Sequence, residues 1–175
     1  MSIQVIIVYT QEDLSYTYPI KKRILIEVIE LTSEEIQNLL ETQFCGVLAM
    51  VDDKGPYQVT VIFSADEDNI YLTLWGDGTN SRKMRCISEN PNVSFTAYSF
   101  EMGGGSPSII FEGKIQRITD REGVTKAVRA NEIQMGQEGI FQHMIDQTME
   151  DPDKSMFFKI SREIFGTRKV LPPKQ

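Results

Sequence analysis

Residue types that commonly build functional sites are scarce in this sequence. It contains one histidine, His143, and two cysteines, Cys45 and Cys86, which lie far apart in apolar surroundings. Structural zinc sites need clustered Cys and His ligands, and disulfide-stabilised domains need more cysteines. We therefore predict no metal site and no disulfide, with both cysteines present as buried free thiols in a reducing cytoplasm.

Long apolar runs and a surplus of basic residues are also missing. No segment approaches the ~20 apolar residues of a membrane-spanning helix, and the apolar run at the N-terminus lacks the basic residues that precede a secretory signal. The 18 Lys and Arg against 25 Asp and Glu give a formal net charge of -7, whereas nucleic-acid binders normally carry a basic surplus. We therefore expect a cytoplasmic protein that binds neither membranes nor nucleic acids.

The residues that are present predict one mainly β domain. The 175 residues are 41% hydrophobic and 25% charged, a composition that supports a single folded domain over residues 1–175. Residues 1–31 form an N-terminal extension to which no role is assigned. Short runs of alternating or continuous apolar residues between turn signals indicate strands. The predicted strands cover residues 3–9, 23–31, 45–51, 56–63, 70–75, 92–100, 107–118, 156–160 and 163–170.

Helical patterns are fewer and lie between or beside these strands. They cover residues 32–44, 82–89, 119–133 and 139–149. Thr32 with Glu35, and Thr119 with Glu122, have the spacing of a capping box. Consecutive antiparallel strands favour a small barrel with flanking helices. Regular strand–helix alternation and a glycine fingerprint after the first strand are both missing, which argues against a Rossmann fold.

The segment Trp75–Phe95, WGDGTNSRKMRCISENPNVSF, is a candidate phosphate site. It places Ser81, Arg82 and Lys83 at the start of a short helix, directly after an apolar strand. The backbone N–H groups and the positive dipole end of a helix attract anions. Arg82 could supply a bidentate fork and Lys83 a point charge. The alternative is an ordinary helix start with solvated bases, and the local sequence does not separate the two.

Other segments carry weaker signals. Val59, Thr60 and Val61 could let a flat aromatic ligand lie against the edge of a strand, although a plain core strand is the commoner explanation. His143 has no partner in sequence for metal binding or catalysis, so a structural role is favoured. The glycines of residues 101–107 lack the lysine and the hydroxyl residue of a phosphate-binding loop and predict a hairpin loop.

An ordered set of short motifs resembles a known family. The motifs are Gly46, Leu48 and Ala49 in a G-x-L-A strand, Gly55-Pro56 in a hairpin, Ile70, Tyr71 and Thr73 in the next strand, Ser81, Arg82 and Lys83, and Asn90–Phe95 in N-P-x-V-S-F. Over Glu34–Ile118 their order resembles the pyridoxamine 5'-phosphate oxidase-like FMN-binding split-barrel superfamily, to which nitroimidazole-resistance-type flavoproteins are related.

The resemblance implies a fold, a cofactor and a set of contacts. The fold would be mainly β (α+β), a split β-barrel of antiparallel, Greek-key-like strands with a few flanking helices. The protein would be a homodimer with FMN at the subunit interface. Ser81, Arg82 and Lys83 would hold the FMN phosphate, and Thr73 would lie near the ribityl chain or the ring. The flavin ring would lie along the backbone of Val59, Thr60, Val61 and Ile62.

The implied function is that of a flavin-dependent oxidoreductase of unknown substrate, with a small redox molecule or NAD(P)H as its partner. The chain departs from pyridoxamine 5'-phosphate oxidases because it lacks their longer C-terminus with a Trp- and Arg-containing motif. Thr73 or its neighbours stand where nitroimidazole-resistance-type relatives often carry a histidine. No catalytic residue is assigned. Two alternatives are a flavin carrier or sensor without turnover, and a structural dimer that has lost FMN.

Overall fold

A ten-stranded sheet dominates the structure. The computed structural model describes residues 3–7, 24–75, 81–100 and 105–171, with side chains from residue 27 onward. The strands are β1 (Ile3–Ile7), β2 (Ile24–Ile29), β3 (Cys45–Asp52), β4 (Gly55–Ala65), β5 (Asn69–Thr73), β6 (Asn92–Tyr98), β7 (Ser106–Lys114), β8 (Gln116–Arg117), β9 (Phe157–Ser161) and β10 (Ile164–Val170). The helices are α1 (Ser33–Thr42), α2 (Arg82–Glu89), α3 (Arg121–Met135) and α4 (Gln142–Glu150), and a 3-10 turn covers Pro152–Lys154.

The strand order is β1-β2-β10-β7-β6-β3-β4-β5-β9-β8, and all neighbouring pairs are antiparallel. β7 and β9 also lie against each other, although they are not neighbours in this order. The sheet therefore curves around a common core. The predicted mainly β, antiparallel split barrel with a few flanking helices is confirmed.

Aromatic and branched side chains fill the barrel. Phe63 and Phe95 pack edge to face with ring centroids 5.2 Å apart, and Phe111 stacks on Phe95 at 6.3 Å. All three are fully buried. Gly46 makes room for this cluster, because a Cβ at that position would lie 2.4 Å from Phe95 Cζ and 2.6 Å from the Thr96 carbonyl oxygen. The close approach of strand and ring thus requires a glycine.

The predicted alternation along β4 is confirmed. Val61 and Phe63 face the core and are buried, whereas Thr60 points outward and is exposed. Side chains of alternate strand residues point to opposite faces. The outer face of β4 is therefore available for contacts outside the barrel.

The predicted capping box of α1 is also confirmed. The Glu35 N–H donates to Thr32 Oγ1 at 3.3 Å, and the Thr32 N–H donates to Glu35 Oε2 at 2.9 Å. The predicted cap of α3 at Thr119 is wrong. Asp120 is the N-cap residue, and its Oδ1 accepts from the Gly123 N–H at 2.8 Å. Asp is a stronger N-cap than Thr, and its negative charge suits the positive end of the helix dipole.

α3 and α4 pack on the outside of the barrel, against β5 and β9. Tyr71 and Phe157 point from these strands into a second apolar cluster that includes Val124 and Val128 of α3 and Ile145 of α4. None of the helices in the described ranges combines the length and apolarity needed to cross a membrane.

The single strand predicted over residues 107–118 is divided in the structure. β7 ends at Lys114, and the Ile115 N–H donates to the Pro91 carbonyl oxygen at 2.9 Å instead of continuing the ladder. β8 then pairs with β9. Because Ile115 is buried on the core side, it keeps an apolar pattern running through the break, which explains why the two strands look continuous in sequence.

Both cysteines are free, but only one is buried as predicted. Cys86 is fully buried, and burial raises the pKa of its thiol. Cys45 is half-buried, because it lies at the start of β3 with its neighbour Gly46, rather than itself, facing the core. The prediction that both thiols are buried is therefore wrong for Cys45.

Candidate functional site

The first turn of α2 connects two parts of the sheet. Arg82 contacts Asp52 at the end of β3, and Lys83 donates from Nζ to the carbonyl oxygen of Trp75, just beyond β5. Ser81 precedes the helix as its N-cap residue. The three residues predicted to hold a phosphate are therefore placed together, between the β3–β4 hairpin and the exit of β5.

Arg82 is held by the hairpin. Its Nε donates to Asp52 Oδ2 at 2.9 Å and its Nη2 to Asp52 Oδ1 at 2.8 Å, while Nη2 also approaches the Gly55 carbonyl oxygen at 3.3 Å. The guanidinium lies 4.5 Å from the centroid of the Tyr57 ring. Asp52 thus occupies the bidentate face of Arg82 that we expected to meet a phosphate.

This ion pair changes the charge balance of the site. The side chain of Asp52 is only 5% exposed, and the hydrogen bonds from Arg82 lower the pKa of its carboxyl from 3.8 to about 2. The pair in turn raises the pKa of Arg82. At neutral pH Asp52 therefore compensates the charge of Arg82, and Lys83 remains as the neighbouring cation of this turn.

Ser81 is an N-cap residue whose hydroxyl makes no cap. Its backbone is extended, with φ -67° and ψ 151°, but its side chain accepts no hydrogen bond from the helix. Its Oγ is buried and has no hydrogen-bond partner among the described residues. Buried polar groups are nearly always paired in native proteins, and an unpaired one calls for an explanation such as an absent ligand.

The outward edge of β4 is free beside this turn. The Phe63 N–H donates to the Phe44 carbonyl oxygen at 2.9 Å, so the backbone groups of Phe63 point towards the chain of β3. These directions alternate along a strand, and Thr60, three residues before Phe63, therefore directs its N–H and C=O away from β3. β5 pairs only with Ile62–Ala65 of β4. Within the described ranges, no strand pairs with β4 on that side at Thr60. Because backbone groups require partners, this edge can bind water or a planar ligand.

Thr73 and Ile62 face a pocket between the sheet and α3. The two residues are paired across β5 and β4, and both line a small pocket that is open to solvent. The Asn131 side-chain N–H donates to Thr73 Oγ1 at 3.4 Å, and Asn131 and Thr73 are 8% and 6% exposed. The predicted ring-end residues are thus adjacent to this open pocket, and Trp75 joins the pocket to the turn of α2.

Several residues of this region were not predicted. Asp52 and Tyr57 anchor Arg82, yet in sequence Asp52 indicates only a turn and Tyr57 only a strand. Asn131 is hidden within an otherwise ordinary amphipathic helix. The one available signal was a polar residue among the buried positions of α3, which could have drawn attention to Asn131. Residues 76–80, part of the predicted phosphate segment, lie outside the described residues.

Comparison with known proteins places this arrangement in a family. The family model described as pyridoxamine 5'-phosphate oxidase matches residues 32–164, a range that includes β3 to β9 and all four helices. The chain belongs to the pyridoxamine 5'-phosphate oxidase family. The suspected relationship to this superfamily is therefore confirmed. No match was found among the curated proteins.

Solved structures of this family share the fold at low identity. A candidate 5-nitroimidazole antibiotic resistance protein from Bacteroides thetaiotaomicron is 18% identical with a TM-score of 0.66, over 86% of this chain and 92% of that one. An FAD-binding protein from Mesorhizobium loti is 18% identical with a TM-score of 0.57, over 83% and 98%. An FAD-binding protein from Mycobacterium smegmatis is 15% identical with a TM-score of 0.56, over 82% and 98%. These likenesses establish the fold.

Proposed function

We propose that this protein binds FMN and acts as a flavin-dependent oxidoreductase. The observation that carries the proposal is the free backbone edge of β4 at Thr60, which lies between the first turn of α2 and the pocket at Thr73. A flavin has a planar ring with hydrogen-bonding groups on its edge and, in FMN, a terminal phosphate. The site offers a free strand edge for the first and a helix N-terminus for the second.

The residues present suit the phosphate, with a division of roles. Lys83 supplies a charge, Ser81 supplies a buried hydroxyl that no described residue pairs with, and the N-terminus of α2 supplies N–H groups that have no partner within the helix. Arg82 fixes the turn through Asp52 and adds positive potential rather than a free fork. The related proteins from Mesorhizobium loti and Mycobacterium smegmatis are described as FAD-binding, which supports a flavin as the ligand. The preference for FMN rests on the arrangement of Ser81, Lys83 and the N-terminus of α2 around a single phosphate.

We also propose that two copies of the chain form a homodimer next to this edge. The row Ile110, Thr96, Val47 and Thr60 runs across the outer face of β7, β6, β3 and β4. These side chains are small or apolar and carry no charge, and the residues are half-buried or exposed. Charge-depleted faces are typical of the centre of protein interfaces. A partner seated on this row would cover the ring-binding edge at Thr60.

Bound FMN would supply hydride or electron transfer, with NAD(P)H or another small redox molecule as the partner. The chain's own contribution is to bind and orient the ring and to exclude water from it. The described residues that line the pocket include no carboxylate, lysine, arginine or histidine. The described side chains at the pocket are therefore suited to positioning a ligand.

The proposal is tested by titrating the purified protein with FMN, FAD and riboflavin. We expect FMN to bind most tightly. Replacing Lys83→Met should weaken FMN by roughly ten- to a hundredfold, because a hydrogen bond to a charged group contributes about 1.5–3 kcal/mol. Riboflavin, which has no phosphate, should bind almost equally well to both proteins.

The control is Lys114→Met, which removes an exposed lysine at the C-terminal end of β7, outside the first turn of α2, and should leave FMN binding unchanged. Equal losses for FMN and riboflavin in Lys83→Met would place the phosphate elsewhere. A protein that binds none of the three flavins would refute flavin binding and leave the structural dimer. Flavin that binds but is reduced by neither NADH nor NADPH would favour the carrier or sensor.

A further inference from the structure

The carboxylate of Asp52 is fixed on both of its oxygens beside the first turn of α2. Oδ2 accepts from Arg82 Nε at 2.9 Å, while Oδ1 accepts from Arg82 Nη2 at 2.8 Å and from the Lys54 N–H at 3.0 Å. The side chain of Asp52 is 5% exposed and that of Arg82 is 32% exposed. Removing the cation from a buried carboxylate is costly. An anion that binds at α2 therefore cannot draw Arg82 away without leaving Asp52 buried and unpaired.

The guanidinium of Arg82 is also held from its other sides. It lies 4.5 Å from the centroid of the Tyr57 ring, and Nη2 approaches the Gly55 carbonyl oxygen at 3.3 Å. Nη1 makes no hydrogen bond with any residue that the structure describes. Two roles are therefore open to Arg82: contact with a phosphate through Nη1, or support of the turn as one half of a neutral pair.

The neutral pair limits the positive charge at the turn. The charges of Asp52 and Arg82 cancel, the first turn of α2 has no acidic residue, and Lys83 adds one positive charge. Arg85 is exposed one turn further along α2, where solvent and salt screen its charge. A helix N-terminus is equivalent to roughly half a positive charge, whereas a phosphate monoester carries about 1.5–2 negative charges. If Asp52 were neutral, Arg82 would add a second full charge to this balance.

We propose that Asp52 sets the strength of phosphate binding at α2: by neutralising Arg82, it limits the preference for FMN over riboflavin and lets bound FMN exchange with FMN in solution. This role rests on the proposed flavin site. Changes of affinity at one site act mostly on the dissociation rate, so that a weaker phosphate contact means faster release. Asp52 is thus a specificity-determining residue that acts through the charge of Arg82.

The test compares Asp52→Asn with Asp53→Asn. Asp53 is the next residue of the hairpin and is exposed, so that its replacement removes the same charge outside the ion pair. FMN and riboflavin are titrated into wild type and both variants at constant ionic strength. We expect Asp52→Asn to bind FMN roughly three- to tenfold more tightly and to release it more slowly, because one charge acts on a nearby dianion. Riboflavin binding should be unchanged, and Asp53→Asn should alter FMN binding by less than about twofold, because an exposed charge is screened.

A double variant separates the two roles of Arg82. Arg82→Gln leaves Asp52 without its cation and should weaken FMN binding roughly three- to tenfold. In Asp52→Asn/Arg82→Gln, one neutral pair replaces another, and FMN affinity should return to within about twofold of wild type. If Nη1 contacts the phosphate, the double variant stays as weak as Arg82→Gln. Urea unfolding shows which variants are folded, and if a single variant is not, the comparison of the double variant with wild type still decides between the two roles.

The inference fails if Asp52→Asn binds FMN no more tightly than wild type, if Asp53→Asn has the same effect, or if the double variant remains weak. Each of these results leaves the proposed flavin site intact. If wild type and variants bind no flavin, the proposed function is refuted, and inorganic phosphate then tests the role of Asp52. At constant ionic strength, phosphate should stabilise Asp52→Asn against urea more than it stabilises wild type or Asp53→Asn, and equal stabilisation would overturn that role.

Discussion

Substitution of Ser81 by alanine should have opposite effects on the free and the FMN-bound protein. An ordinary N-cap Ser→Ala change costs about 0.5–2 kcal/mol, because a cap hydrogen bond is lost. Ser81 makes no such bond, and its hydroxyl is buried without a partner among the residues that the structure describes. An unsatisfied buried group costs about 1–3 kcal/mol. Ser81 as a residue is only half-buried, so that the penalty for its hydroxyl should lie at the lower end of that range. We therefore expect Ser81→Ala to stabilise the free protein by about 1 kcal/mol.

With FMN present the sign should reverse. If the hydroxyl donates to the phosphate, its loss should cost about 1.5–3 kcal/mol of binding free energy, or roughly ten- to a hundredfold in Kd. Urea unfolding with and without saturating FMN measures both effects on the same protein. Thr32→Ala is the matched control, because Thr32 does accept the cap bond from the Glu35 N–H, and it should destabilise the protein equally with and without FMN.

The reasoning on Ser81 is refuted if Ser81→Ala destabilises the free protein as much as Thr32→Ala does. That result would show that the hydroxyl caps α2 in solution. If Ser81→Ala stabilises the free protein but does not change its affinity for FMN, the hydroxyl is unsatisfied in the free protein and does not contact the FMN phosphate.

Two further predictions concern the parts that hold the site in place. The folded-state pKa of Asp52, about 2, lies below its ordinary value of 3.8, so that ionised Asp52 stabilises the folded state above pH 3.8 and this contribution is lost as pH falls through about 2. Stability curves of wild type and Asp52→Asn should therefore converge over that window, and a constant difference down to its acid end would contradict the Arg82 ion pair. Gly46→Ala should destabilise the barrel by roughly 1–3 kcal/mol through overpacking against Phe95. Gly113→Ala, where a Cβ would meet nothing within 4 Å, should cost much less in the same urea titration.

Local patterns were sufficient for most of the fold. The alternation along β4 predicted which of its side chains face the core, and the Thr32–Glu35 spacing predicted the cap of α1, because both depend on residues a few positions apart. The same patterns failed at Ile115, where an apolar residue continues the period across a break between two strands. They also failed at Asp120, where two acceptable caps stand next to each other and only the geometry of the chain selects one.

The position of the proposed phosphate segment also follows from the sequence, since Ser81, Arg82 and Lys83 stand between an apolar strand and a short helix in any fold that keeps these elements. What these side chains contact does not follow from it. Asp52 lies 30 residues from Arg82, and Asn131 lies 58 residues from Thr73. Each pair meets because barrel packing places α2 beside the β3–β4 hairpin and α3 beside β5.

The sequence by itself determined most of the strands, the capped start of α1 and the place of a cationic turn, because these depend on local periodicity and capping. Only the tertiary structure decided that Asp52 engages the fork of Arg82, that no described residue pairs with the hydroxyl of Ser81, and that β5 is too short to cover β4 at Thr60. Those outcomes depend on strand register and on the packing of helices against the sheet. Both are set by burial of the whole core rather than by any one segment.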